Sequence, residues 1–157
     1  MSLNQISQII EEEYIIELFR IEYPDFPKGK LLKTESPDFI LKENPRNAIG
    51  IELTKLHGPG IKKENTHFAS KVHGYQPPEF SKENIEFTIS AKDEKLHLYQ
   101  QKRLNQIWLL ITADLNESPV SFNLNNKLEN WNFLSGFHKI FLFELKTRNV
   151  FELNLSA

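Results

Sequence analysis

The sequence predicts an α/β domain in which a mixed central β-sheet is flanked by helices. Three observations carry that reading. An opening segment with isoleucines at near-helical spacing reads as a helix. Short apolar runs separated by turn residues follow, as expected of strands. A second amphipathic stretch then leads into Ile107-Trp108-Leu109-Leu110-Ile111, a continuous apolar run of the kind found in strands covered on both faces.

Each element has its own justification. Over residues 4–21, Ile6, Ile9, Ile10, Ile16 and Ile21 recur near helical spacing beside the acidic block Glu11-Glu12-Glu13, and Pro24 and Pro27 end the segment. Strands are expected over Leu31 to Thr34, Asp38 to Lys42 and Ile49 to Leu56, the last broken by His57-Gly58-Pro59-Gly60. Residues 61–80 are polar, contain Gln76-Pro77-Pro78 and read as a loop. Ser81, or alternatively Asn84, is a suitable N-cap for a helix running to about Leu104. A polar loop with Asn116 and Pro119 comes after the apolar strand, then a short helix over Asn125 to Leu134. Ile140 to Leu145 and Val150 to Leu153 flank Lys146-Thr147-Arg148-Asn149, which predicts a terminal hairpin.

The totals bound the class. A chain of 157 residues fits one domain, 1–157, with a sizeable core. Hydrophobic content of 39% with 25% charged residues is that of a globular chain. No apolar run reaches the ~18 residues of a membrane span, so no membrane partner is expected. The start, Met1-Ser2-Leu3-Asn4-Gln5, lacks a signal peptide's basic and apolar regions. Cysteine is absent, which excludes disulfides and thiolate metal sites and fits a cytoplasmic protein. A net charge of −2 argues against a generally basic nucleic-acid binder while allowing a local basic groove.

Two carboxylates stand where they are costly. Asp38 opens the apolar run Phe39-Ile40-Leu41, and Glu52 interrupts Ile49-Gly50-Ile51-Glu52-Leu53. Between them lies the turn-forming Asn44-Pro45-Arg46-Asn47, so the two segments read as antiparallel strands that can bring Asp38 and Glu52 together. Side chains alternate along a strand, which puts Glu52 and Thr54 on one face and Ile51 and Leu53 on the other. Carboxylates brought close repel unless a cation sits between them, and a hard divalent cation suits an all-oxygen donor set. The bland alternatives are a turn at Ser36-Pro37-Asp38 and a solvent-facing Glu52. Asp25, in a second Pro-Asp-Phe, is followed by Pro27 and belongs to a loop.

Pro37-Asp38 followed by a strand carrying Glu52-Leu53-Thr54 resembles the PD-(D/E)xK nuclease superfamily, the restriction-endonuclease-like fold. The resemblance is close over the two strand motifs and loose from about residue 10 to residue 113, where the order of elements also agrees. One position departs from the pattern: Thr54 stands where lysine is usual, and threonine cannot supply its charge. The resemblance implies a Mg²⁺ or Mn²⁺ cofactor held by Asp38 and Glu52, with the carbonyl of Leu53 as a third ligand.

The substitute for the missing lysine is sought on the second helix, where the resemblance implies that it can migrate. Ile85, Ile89, Leu96 and Tyr99 form one stripe, and Lys92 falls in its middle. A lysine there either snorkels or has an anionic partner. Lys92 is the preferred residue and Lys95 the runner-up. The resemblance also implies an acid from the first helix; Glu13 is the choice, little separated from Glu17 or Glu12. None of His57, His67, His73, His97 and His138 pairs at the spacing of helical zinc ligands, and Trp108 and Trp131 read as core. Lys62, Lys63, Lys71, Lys82, Lys102 and Arg103 are scattered, as solvated residues are. The expected function is a metal-dependent nuclease acting on DNA or RNA through Asp38, Glu52, Lys92 and Glu13. Its rivals are a nuclease-fold interaction module without chemistry and a plain structural domain.

Overall fold

Helix α1 spans Leu3–Glu22. Ser2 caps it: its hydroxyl accepts from the Gln5 amide, and the Gln5 side chain accepts from the Ser2 amide, so two otherwise unpaired donors are met reciprocally. The strands that follow are β1 (Lys30–Lys33), β2 (Phe39–Asn44) and β3 (Asn47–Lys55). Helix α2 (Lys82–Asp93) and the single-turn α3 (Leu96–Tyr99) precede β4 (Gln106–Ala113). A 3-10 turn at Leu128–Asn130 leads to β5 (Asn132–Phe133), β6 (Lys139–Glu144), β7 (Asn149–Glu152) and β8 (Asn154–Leu155). The structure, a computed structural model, describes residues 1–57, 81–113 and 128–156. The loop over 61–80, Gly58 to Gly60, Asn116, Pro119 and the start of the helix expected from Asn125 lie outside these residues, as do His67, His73, Lys62, Lys63 and Lys71.

The chain is α/β with a mixed six-stranded sheet in the order β1-β2-β3-β4-β6-β7. The strands β1, β2 and β3 form an antiparallel meander, β4 pairs parallel to both β3 and β6, and β7 closes the far edge antiparallel. β4 therefore has parallel neighbours on both sides. Every residue from Ile107 to Ala113 is buried, as its unbroken apolar run requires. Each face of the sheet has its own core. Ile15, Ile16 and Phe19 of α1 pack on Phe39, Leu41, Ile51, Trp108, Leu110, Phe141 and Phe143. Ile85, Ile89, Leu96 and Tyr99 cover the opposite face, over Ile107, Leu109, Ile111, Ile140 and Leu142. No helix among the described residues is long and apolar enough to cross a membrane.

Three details correct the sequence reading. The buried stripe of α1 is Ile15, Ile16 and Phe19, whereas Ile6, Ile10 and Ile21 are exposed: the helix meets the sheet with the second half of its length. The helix expected from Ser81 to about Leu104 is two helices. It breaks after Asp93 without Gly or Pro, at a point fastened by tertiary bonds, since the Asp93 carboxylate accepts from the Ser135 hydroxyl and the Gly136 amide. The short helix expected up to Leu134 is, over its described part, the 3-10 turn followed by β5, which pairs in parallel with β8. Tertiary pairing has overridden a weak local preference.

Candidate functional site

The site forms where the meander is ragged. Phe39 is opposite Ile51 and Ile40 opposite Gly50, so one step further puts Asp38 opposite Glu52. β2 begins only at Phe39, while β3 runs on to Lys55. The amide of Leu53 therefore has no β2 carbonyl to meet, and Asp38 Oδ2 takes it at 2.9 Å. Glu52 reciprocates: its Oε1 accepts from the Asp38 amide at 3.1 Å. Gly50 permits the approach, because a Cβ there would lie 2.8 Å from both Pro37 Cγ and Leu104 Cδ1.

Glu52 shares a face with Leu109 and its neighbours under α2 and α3 and is only 5% exposed. A carboxylate so placed needs partners. Lys92 Nζ donates to its Oε2 at 3.1 Å, from 40 residues away. The Tyr99 hydroxyl donates to the same oxygen in a short hydrogen bond. The solvent-facing alternative for Glu52 is thereby excluded.

Asp38 also faces α1. Lys33 Nζ lies 4.0 Å from Asp38 Oδ1 and 3.0 Å from Glu12 Oε2, and it donates to the carbonyls of Thr34 and Asp38. The helix acid whose charge reaches Asp38 is therefore Glu12. Glu13, the expected one, is exposed on a wall with Glu17, Leu31, Lys33 and Phe39. Glu12 lies three and four residues before Ile15 and Ile16, in the middle of their face, whereas Glu13 precedes only Ile16 at such a spacing and sits on the flank of that face. A cavity of about 280 Å³ opens beside Glu12, lined by Gln8, Glu11, Leu53, Thr54 and Thr112.

The structure thus brings Asp38, Glu52 and Lys92 together and leaves Glu13, Glu17 and the runner-up Lys95 outside the cluster. Leu53 lies within it, bonded through its amide to Asp38. In a strand the N–H and C=O of one residue leave on the same side, so the Leu53 carbonyl also faces the region where β2 has not begun. Asp25 is exposed in the loop after α1. Comparison with known proteins finds no family model that matches the chain, no similar curated protein and no similar solved structure.

Sequence reasoning missed Tyr99 and Lys33 and held Glu12 only as an alternative to Glu13. Tyr99 carries a signal, because a buried tyrosine needs a partner for its hydroxyl, but its place in the apolar stripe masks it. Lys33 carries none: in Lys30-Leu31-Leu32-Lys33 nothing distinguishes one lysine from the other.

The two acids divide their charge. Burial pushes the Asp38 carboxyl up to about 8, and its hydrogen bond to Glu52 and the Glu52 charge add to the effect against the Leu53 amide. Burial also acts to raise Glu52, but the bonds from Asp38 and Tyr99 and the Lys92 ammonium outweigh it and hold its carboxyl below the usual range. Burial and then Glu52 push Tyr99 well above its ordinary value, so its proton stays in place. The pair thus shares its charge unequally, the proton favouring Asp38 and the negative charge Glu52.

A pH dependence follows. A carboxyl raised in the folded state favours folding while protonated, so Asp38's contribution is full below its unfolded value near 3.8 and is lost as pH rises through about 8. Without metal, the melting temperature should fall across that window. Asp38→Asn should flatten the fall and raise the melting temperature at pH 8 by a few degrees, ~2–4 °C for each kcal/mol in a chain of this size. Thermal scans of both proteins from pH 5 to about 8.5 test this; parallel curves would contradict the arrangement.

Proposed function

We propose that the chain is a metal-dependent phosphodiesterase acting on nucleic acid, built on a restriction-endonuclease-like fold. One observation carries the reading. Asp38, Glu52 and Lys92, drawn from a loop, a strand and a helix, meet at the ragged end of the meander. The order of elements supports it: helix, antiparallel meander, helix, then a strand parallel to the third.

The donor set fits a hard divalent cation. Two carboxylates are pressed together and the proton is drawn to Asp38, a repulsion that a cation would relieve. Among the described residues no three His, Cys, Asp or Glu gather as a metal group; the donors of this proposal are the two carboxylates and the Leu53 carbonyl. Mg²⁺ is commonly held by one or two carboxylates with substrate phosphate completing the shell. When bound, Mg²⁺ or Mn²⁺ would supply Lewis-acid stabilisation of the phosphate and lower the pKa of water. The residues do the rest. Asp38 and Glu52 fix the donor oxygens, and Lys33 and Glu12 tether that end of the meander to α1. Lys92 holds a positive charge where a phosphate oxygen would develop negative charge, in place of the lysine absent at Thr54.

The test joins binding to cleavage. Calorimetry should show Mn²⁺ binding by the wild type and none by Asp38→Ala. DNA and RNA substrates should be cut only with Mg²⁺ or Mn²⁺, and only by the wild type. Absence of metal binding in the wild type would overturn the proposal. Binding without cleavage would favour the rival, an interaction module without chemistry. One observation points that way: both oxygens of Glu52 already accept hydrogen bonds within the chain.

A further inference from the structure

We infer that Tyr99 is the positioning residue that holds Glu52 for the metal, so that Lys92 is free to exchange that carboxylate for the substrate's phosphate. The inference rests on the metal-site reading above. It starts from a redundancy. Two donors, Lys92 and Tyr99, converge on Oε2 of Glu52, while Oε1 alone takes the amide of Asp38. A carboxylate held at one oxygen keeps the other aimed, and here Oε1 is the oxygen aimed at Asp38.

The two donors differ in kind. Tyr99 is 1% exposed, packed among Ile85, Leu96 and Phe137, and its ring stands 6.3 Å from that of Phe137. Its hydroxyl rides on a rigid ring with two rotatable bonds and cannot leave without emptying its place in the core. Lys92 is different: its side chain retains 19% exposure and reaches Glu52 on a flexible four-carbon stem. Its ammonium can move to a second anion on its exposed side while Tyr99 stays on Oε2. A site with Lys92 alone would lose the orientation of Glu52 when the lysine turned to substrate.

The break between α2 and α3 makes this possible. The chain turns over Glu94 and Lys95 through bonds from the Lys95 amide to the Lys92 carbonyl and from the Leu98 amide to the Lys95 carbonyl. Tyr99 then descends on Glu52 from its own helical turn, separate from the turn that carries Lys92.

The proposal ranks two variants by a readout other than catalysis. Mn²⁺ affinity is measured by calorimetry and by the loss of the free-ion electron paramagnetic resonance signal. Tyr99→Phe should weaken it by about 10-fold or more, the scale of losing an outer-shell hydrogen bond to a metal ligand. Lys92→Met should leave it within about 3-fold or strengthen it, since a competing cation has gone from Glu52. 4-Aminophenylalanine at position 99, which restores a donor on an unchanged ring, should recover most of the loss, which a purely packing role would not predict. Equal affinity in wild type and Tyr99→Phe, or a larger loss in Lys92→Met, would overturn the role of Tyr99 and leave the metal site standing. No Mn²⁺ binding in the wild type would remove the metal site and this inference together.

Discussion

Replacing Glu52 by alanine should lower the unfolding free energy by about 3 kcal/mol. Three donors converge on this one carboxylate: the Asp38 amide, the Lys92 ammonium and the Tyr99 hydroxyl. Removing it leaves all three without their acceptor in a site from which water is largely excluded. Breaking a buried pair from one side costs ~3–5 kcal/mol, because the remaining charge stays desolvated. The lower end applies because the Lys92 side chain keeps 19% exposure and can turn to water once Glu52 is gone. The double variant Glu52→Leu with Lys92→Met removes both partners and fills the volume, and should recover most of the loss. Urea titrations read by their midpoints, with slopes compared, would measure the cycle. A Glu52→Ala loss below ~0.5 kcal/mol, the size of an ordinary surface change, would contradict the burial and pairing described.

If the chain is the nuclease proposed above, Lys92→Met should cut phosphodiester cleavage by about 100-fold or more while the fold and metal affinity persist. The variant keeps the aliphatic stem in its place between Ile89 and Leu96 and deletes only the charge. Glu52 retains Tyr99 and the Asp38 amide as donors. On that reading the variant loses the cation proposed to meet the negative charge of the transition state, worth ~2.7–4 kcal/mol in comparable sites. Single-turnover assays with saturating Mn²⁺ would isolate the chemical step. Equal rates for wild type and Lys92→Met would remove Lys92 from the chemistry.

Much of the fold was readable because it depends on local pattern. The apolar run at 107–111 announced a strand covered on both faces, and the terminal hairpin was marked by Lys146-Thr147-Arg148-Asn149, where Arg148 has a φ of 64°. The pairing of Asp38 with Glu52 was readable for a similar reason: a short turn joins the two segments, and strand periodicity then dictates the face. Lys92 was legible from the mismatch between a charge and the apolar stripe around it. Its partner is 40 residues away, and only the packing of α2 on the sheet identifies it as Glu52.

The sequence alone determined the α/β class, the order of elements from the first helix through the meander to the apolar strand, and the pair Asp38 and Glu52, because periodicity, turn residues and misplaced charges act over a few neighbours. Tertiary structure decided the rest. The choice of Glu12 over Glu13 depends on which half of α1 meets the sheet, and that is a matter of packing against Phe39, Trp108 and Phe141. The break after Asp93, which frees Tyr99 to descend on Glu52, is fastened by bonds to Ser135 and Gly136 rather than by any local breaker. The role of Lys33 arises only where a helix and a strand end converge on it. Each depends on the free energy of contacts between distant segments, and local sequence pattern does not encode which segments those will be.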